Sequence, residues 1–339
     1  MGMNRVGRLS RFHVIVGMIS AVPLIVIAVS GVLLGFYDGL RHGSAPYRLE
    51  KPVTHPLGPA ALVGAARSAY PGGRLEMLYL PATPERAVRA RMTGEAGKRS
   101  VIFLHPGTGK PIAVRDAAER DWVELLHEVH RGKIAGFTGE ILVAAAALSV
   151  VLLWLSGLPS RRRGGKVRHL HGRLGRVTGG LLALIALTGG MLAFAKQLRE
   201  HLYPPPRASA ATALPAADIA PLLRAGSGAY AVAPLERIIF PVRGDQPLVL
   251  RFQDGGRVWL DSGKGEVLRT ETPYAPWVNL LYPLHSGRIL GRLGPPLVAA
   301  LGVLLLLLIG SGYLMRRKGA KSRISRSSRD DRGRGASDI

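Results

Sequence analysis

Four apolar runs limit what this chain can become. Phe12 to Tyr37, Ile141 to Leu158, Val177 to Ala195 and Leu293 to Met315 compare with the roughly 20 residues that a helix needs to cross a bilayer. The expected class is therefore a membrane α-helical protein with four spans, set at 12–37, 131–158, 171–196 and 286–315.

The 339 residues carry a formal net charge of +24, which by itself would suggest a nucleic-acid partner. The distribution argues for lipid instead. Arg5, Arg8 and Arg11 precede the first run, Arg161, Arg162, Arg163, Lys166 and Arg168 separate the second from the third, and "RRKGAKSRISRSSRDDRGRG" follows the fourth. By the positive-inside rule, residues 1–11, 159–170 and 316–339 are expected to be cytoplasmic and residues 38–130 and 197–285 outside. The basic excess thus reads as a topology signal with a lipid bilayer as partner, and no nucleic acid is expected. The first run is too long for the apolar core of a signal peptide and is expected to stay as an anchor. The tail after Met315 has too little apolar surface to fold and is expected to be disordered. With no cysteine, disulfides, thiolate metal sites and covalently attached c-type haem are excluded.

The chain repeats internally. "HVIVGMISAVPLIVIAVSGVLLGF" from His13 lies over "HGRLGRVTGGLLALIALTGGMLAF" from His171, matching His13/His171, Gly17/Gly175, Ser30/Thr188, Gly31/Gly189 and Phe36/Phe194. "DWVELLHEVHRGKIAGFTG" lies over "PWVNLLYPLHSGRILGRLG", matching His130/His285, Gly132/Gly287, Lys133/Arg288, Gly136/Gly291 and Gly139/Gly294, with Ser156-Gly157/Ser311-Gly312 further on. The expected unit is helix, outer α+β domain, helix, used twice in the same direction, so that matched residues can face each other across a pseudo-two-fold axis. Each outer domain is expected to hold a short helix and then four strands: "PLGPAALVGAARSAY" with "RLEMLYL", "RAVRARM", "RSVIFLH" and "KPIAV", and "ADIAPLLRAGSG" with "RIIFPV", "LVLRF", "RVWLD" and "EVLRT".

Four of the ten histidines are matched by the repeat. His13 and His171 fall at the cytoplasmic ends of the first and third spans, and His130 and His285 at the outer ends of the second and fourth. A pair of imidazoles on each membrane face is the arrangement of two axial-ligand sites, each able to hold a b-type haem. Gly17 and Gly175, one turn after His13 and His171, either leave a bare surface for a flat macrocycle or pack helices, as Gly179, Gly180, Gly189 and Gly190 are read to do. Arg173 and Arg176 near the inner pair, and Arg131, Lys133 and Arg288 near the outer one, either pair with haem propionates or serve topology alone. Glu128 and Glu140 are the acceptors on offer for fixing a ligand tautomer, and Glu140, inside a span, is unusual in its own right.

His127 is matched by Tyr282 and so breaks the symmetry; it is open to three roles, as a ligand in place of His130, as a group supporting that ligand, or as a proton or substrate contact at the outer face, and a non-ligand role is the one expected. His42 and His201 are reserve ligands, while His169, His55 and His105 read as surface positions. Trp122, Trp277 and Tyr282 read as interfacial anchors or as neighbours of a substrate.

The "H-x3-G…[ST]-G" helices, "LHEVHRG" before the second span and the "HPGTGKPI" hairpin, in this order and duplicated over residues 8–317, resemble the PepSY-associated transmembrane proteins of bacterial inner membranes. The resemblance implies periplasmic PepSY-like domains at 38–130 and 197–285. In some members it implies two haems b, with His13 and His171 on the inner one and His130 and His285 on the outer one, and reduction of a ferric siderophore or other ferric chelate in the periplasm to release Fe(II). The chain has no Gly-rich nucleotide fingerprint, so the electron donor is expected to be a separate cytoplasmic protein, a free reduced flavin or a quinol. An alternative is a membrane-anchored periplasmic binding or regulatory protein, acting on a peptidase or an assembly partner, which leaves the paired histidines without a purpose. Metal transport would require Met, His or carboxylate groups deep in the spans.

Overall fold

In the computed structural model the described residues are 5–36, 46–94, 97–116, 122–159, 165–209 and 219–334, with backbone alone for 5–7 and 318–334. The chain divides into two compact units. One comprises Met1–Phe36, Leu125–Phe194 and Leu281–Ile339, and the other Tyr37–Glu124 and Ala195–Leu280.

The first unit is helical. It contains α1 (Arg5–Leu34), and further helices at Gly136–Gly157, Lys166–Ala193 and Gly294–Arg334. Among the described residues four helices are long and apolar enough to cross a membrane, over Arg8–Leu34, Lys133–Gly157, Lys166–Ala193 and Trp277–Arg317. Their inner faces meet around Leu24, Ala146, Val150 and Leu182. Outward they present Ile19, Val22 and Val177, all more than 70% exposed; a belt of such side chains is stable only in an apolar medium. Small residues let the helices approach closely: a Cβ on Gly190 would stand 2.9 Å from that of Ala147, and Gly179 lies against the indole of Trp154. Residues 316–334 correct one expectation, because the backbone remains helical through Arg334. Once a membrane-length helix is in place, each further residue adds a hydrogen bond without a new nucleus, so low apolarity alone does not end the helix.

The second unit contains α2 (Pro59–Ser68), β1 (Arg74–Tyr79), β2 (Val88–Thr93), β3 (Arg99–Leu104), β4 (Pro111–Asp116), then β5 (Leu235–Ile239), β6 (Leu248–Phe252), β7 (Arg257–Leu260) and β8 (Val267–Glu271). All eight predicted strands form, within a few residues of the expected bounds. Two separate outer domains do not. The strands make one antiparallel sheet in the order β4-β3-β2-β1-β5-β6-β7-β8, joined where Met77, Leu78 and Tyr79 face Ile239, Ile238 and Arg237. Left apart, β1 and β5 would each present a bare row of N–H and C=O groups; paired, they remove both edges. The core is shared accordingly, with Leu62, Val63, Leu78 and Ile102 from one half and Leu223, Ile238, Leu250 and Phe252 from the other in one apolar cluster.

Equivalent hairpin turns are closed by different side chains. After β3, Nδ1 of His105 accepts from the Gly107 N–H at 3.2 Å. After β7, buried Asp261 accepts from the N–H groups of Ser209 (2.8 Å), Gly263 (2.8 Å) and Lys264 (3.1 Å). Burial pushes the Asp261 carboxyl up from its ordinary 3.8, and these hydrogen bonds outweigh burial and hold it at about 2.

Two outcomes follow for this unit. Leu250→Ala, at a position with 0% exposure, costs about 2–5 kcal/mol, and amide exchange of β2 and β3 rises together with that of β6 and β7. Asp261→Ala strands buried N–H donors at a cost of about 1–3 kcal/mol. Because the carboxylate is favoured in the folded state, that stabilisation is complete above pH about 4 and is lost as pH falls through about 2. Thermal unfolding followed by circular dichroism will show the variant's deficit shrinking over that range.

Candidate functional site

The four repeat-matched histidines form two facing pairs within the helical unit. His13 on α1 and His171 on α5 (Lys166–Ala193) have ring centroids 6.3 Å apart at an interplanar angle of 86°. His130 and His285 are 5.9 Å apart at 43°. Each member of the second pair ends a short helix that precedes a long one, His285 within the apolar stretch Trp277–Arg317. His130 ends α3 (Trp122–His130) and His285 ends α8 (Leu281–His285), with α4 (Gly136–Gly157) and α9 (Gly294–Arg334) beginning after a turn; α5 is Lys166–Ala193, α6 Ala195–Leu202 and α7 Ile219–Ala229.

Glycines build those turns. Gly132 and Gly287 take φ of +73° and +74°, a left-handed backbone that a side chain disfavours. Gly139 and Gly294 then lie against the carbonyl groups of Gly132 and Gly287 with no room for a Cβ. The result folds each short helix back beside its longer neighbour, and its last residue is the histidine.

Every imidazole is held at Nδ1 by a neighbouring helix. His13 meets Ser156 Oγ at 3.0 Å and His171 meets Ser311 Oγ at 2.8 Å. His130 meets Ser30 Oγ and the Ile27 carbonyl, both at 3.0 Å, and His285 meets the Ile185 carbonyl at 2.8 Å. A carbonyl only accepts, so Nδ1 of His130 and His285 carries the proton. The hydroxyls of Ser156 and Ser311 donate to helix carbonyls of Leu152 and Leu308, which leaves their oxygens as acceptors and assigns the same tautomer to His13 and His171. In all four the Nε2 lone pair is left for a ligand bond.

A glycine stands beside each ring. A Cβ on Gly31 would come 2.9 Å from the His130 ring and one on Gly189 2.5 Å from that of His285; Gly157 and Gly312 lie under His13 and His171 at 3.5 and 3.7 Å. Gly189, expected to pack helices, therefore makes room for an imidazole. Gly17 and Gly175 behave differently, since a Cβ there meets only a leucine methyl at 3.5 and 3.8 Å, so packing does not force glycine at either position. Four Ser/Thr-Gly dipeptides, Ser30-Gly31, Ser156-Gly157, Thr188-Gly189 and Ser311-Gly312, thus serve the four histidines one each. The repeat alignment marks all four, but nothing in sequence connects a dipeptide to a histidine about 100 or 140 positions away.

Other candidates distribute as follows. Arg173 is exposed, while Arg176 is half-buried with its Nη2 buried and unpartnered among the described residues. Lys133 is exposed, and Arg288 lies over the Tyr282 ring at 5.5 Å. His127 is half-buried one turn before His130. Glu128 and Glu140 are not the acceptors on Nδ1; serine hydroxyls and helix carbonyls take that role, which keeps a charge out of the apolar interior. His201 is exposed on α6 in the other unit, His169 and His55 are exposed, and His42 lies outside the described residues. Among the described residues there is no group of three or more His, Cys, Asp or Glu that could hold an ion.

With ¹⁵N-labelled histidine, NMR at neutral pH will show four imidazoles protonated at Nδ1 with slowly exchanging protons; Gly189→Val removes one of these signals.

No curated protein matches this chain. The family model for the PepSY-associated TM region matches residues 10–318, nearly its whole length, and the protein therefore belongs to the PepSY-associated transmembrane family.

Proposed function

We propose that this is a di-haem b electron-transfer protein of the bacterial inner membrane, with both termini cytoplasmic, that reduces a ferric siderophore or other ferric chelate at its periplasmic face and so releases Fe(II). In this reading the two halves are parallel repeats and the eight-stranded sheet unit is periplasmic. The observation that carries it is the spacing of the histidine pairs. Two imidazole rings about 6 Å apart would leave room for one metal ion held between a nitrogen of each. Both pairs stand at that separation.

The donor set agrees with the group. Each site offers two neutral nitrogens, and among the described residues no third His, Cys, Asp or Glu joins either pair, a donor set that would suit haem iron better than a bare ion. When bound, haem supplies one-electron iron redox chemistry; the protein supplies the positions. Along α1, His13 and the Ile27 carbonyl that anchors His130 are separated by about 21 Å at 1.5 Å per residue, and His171 and Ile185 are equally spaced along α5. The two sites thus lie toward opposite ends of one bundle, a spacing that would cover most of the roughly 30 Å apolar core of a bilayer.

His13, His130, His171 and His285 would hold iron through Nε2, with Nδ1–H donation fixing each ring and raising its basicity. Gly17 and Gly175 would leave the bundle open beside the inner pair. Arg176, with its buried unpartnered nitrogen, is the best placed to take a propionate there, Arg173 flanks it, and Lys133 and Arg288 would act at the outer pair. His127 would deliver or accept a proton near the outer site, where the chelate, as substrate, meets the protein. The softer, less charged Fe(II) is held less well by hard oxygen ligands, so reduction releases it. The donor is a cytoplasmic protein, a reduced flavin or a quinol.

The purified protein will show a Soret band with two haems b per chain. His13→Ala or His171→Ala removes one haem and His130→Ala or His285→Ala the other, halving the absorbance, while Ser156→Ala keeps the haem but weakens its retention by about tenfold or more. A colourless protein that does not take up added haem would overturn the reading.

A further inference from the structure

One face of the sheet is covered by α2 and α7; the opposite face carries a row of guanidinium groups. In register across six neighbouring strands stand Arg89, Tyr79, Arg237, Arg251, Arg257 and Glu271. The alternate positions Leu78, Ile238, Leu250 and Val258 are fully buried in the core, so the arginines project to the other side. Strands lie about 4.8 Å apart, so Arg237, Arg251 and Arg257 present three positive charges at successive steps. Like charges directly opposite each other destabilise a sheet, and solvated structural faces alternate their signs instead.

These side chains are held in place by stacking and ion pairs. Arg89 and Arg237 both stack on the Tyr79 ring at 4.4 Å. Glu236 takes Arg237 at 2.9 Å and Arg251 at 3.3 Å. Glu271, the residue opposite Arg257, is engaged by Arg199 at 2.5 Å and by Arg269 at 3.4 Å. Arg257 makes no ion pair within 4.0 Å among the described residues; burial, with repulsion from Arg199, Arg251 and Arg237, outweighs attraction by Glu271 and pushes its pKa down to about 10. Among the described residues, buried donors without partners lie on Arg237 and on neighbours of the row: Nε of Arg237, Nε1 of Trp259 beside Arg257 and Arg269, and Nδ2 of Asn279, whose Oδ1 is held by Arg199.

We propose that this arginine row is a binding site for a small polyanion carrying two or more carboxylate or phosphate groups. Planar guanidinium forks pair with either oxyanion in bidentate fashion, and a second negative group is needed to span adjacent strands. The ligand relieves repulsion that the free protein carries, a stability cost kept for binding. The site is independent of the histidine pairs.

Isothermal titration of the full-length protein in detergent tests this with citrate and with pyrophosphate, acetate serving as the monoanion control. Saturable binding is expected for at least one polyanion and not for acetate, with affinity falling as salt rises. Preference for citrate assigns carboxylates, and preference for pyrophosphate assigns phosphates. Arg237→Gln and Arg257→Gln each weaken binding by about tenfold or more while the unfolding midpoint stays or rises. Arg99→Gln, at a separate ion pair with Glu76, changes neither. The bound polyanion also slows phenylglyoxal modification of Arg237 and Arg257 in the unaltered protein, read by mass spectrometry, which does not depend on how any variant folds. Absence of saturable binding to both polyanions, binding only to vesicles of anionic lipid, or full affinity in Arg257→Gln overturns the proposal.

Discussion

The hydrogen bond from imidazole Nδ1 to a neighbouring helix is the interaction on which the helical unit depends. A membrane interior offers no water to a polar ring, so each histidine must find an acceptor in the protein or bear the cost of desolvation. Helix carbonyls with a spare lone pair, and serine hydroxyls already donating to their own helix, provide acceptors without adding charge. That one bond fixes the tautomer, the ring orientation and the free nitrogen together. The glycines follow from it, because a ring can reach the backbone of the next helix only where no Cβ intervenes. The left-handed turns at Gly132 and Gly287 follow too, since His130 and His285 reach α1 and α5 only from a short helix folded back beside the long ones.

The sheet unit obeys a different constraint. Its halves each bring four antiparallel strands and one helix, and each would leave an unpaired edge. Joining β1 to β5 satisfies both edges and merges two small cores into one. The same joining sets Arg237 beside Tyr79 and extends the arginine row across the seam between halves. Arg237, Arg251 and Arg257 already stand together on β5, β6 and β7 of the second half, and the joining adds Arg89 of the first half on the far side of Tyr79.

Much of this was legible in the chain. The spans follow from run length, the eight strands from alternating β-type segments between Gly-bearing turns, and the histidine pairs from internal sequence matching, which sets His13 against His171 and His130 against His285. Turn chemistry was not legible in the same way: His105 and Asp261 occupy equivalent positions and close their turns through unrelated hydrogen bonds. Nor was the identity of the ring acceptors. Glu128 and Glu140 were the obvious choices by proximity in sequence, and the true acceptors lie at separations of 100 or more positions.

The sequence by itself determined the family, the four membrane-length helices, the strand segments and which four histidines pair, because apolar run length, alternation and duplication are local or self-comparing signals. Only the tertiary structure decided that two expected domains form one sheet, that Ser/Thr-Gly dipeptides seat the imidazoles, and that arginines from separate strands align in a single row. Those outcomes depend on strand pairing and helix contact between segments far apart in the chain, and the energy that selects them is realised only when the surfaces meet.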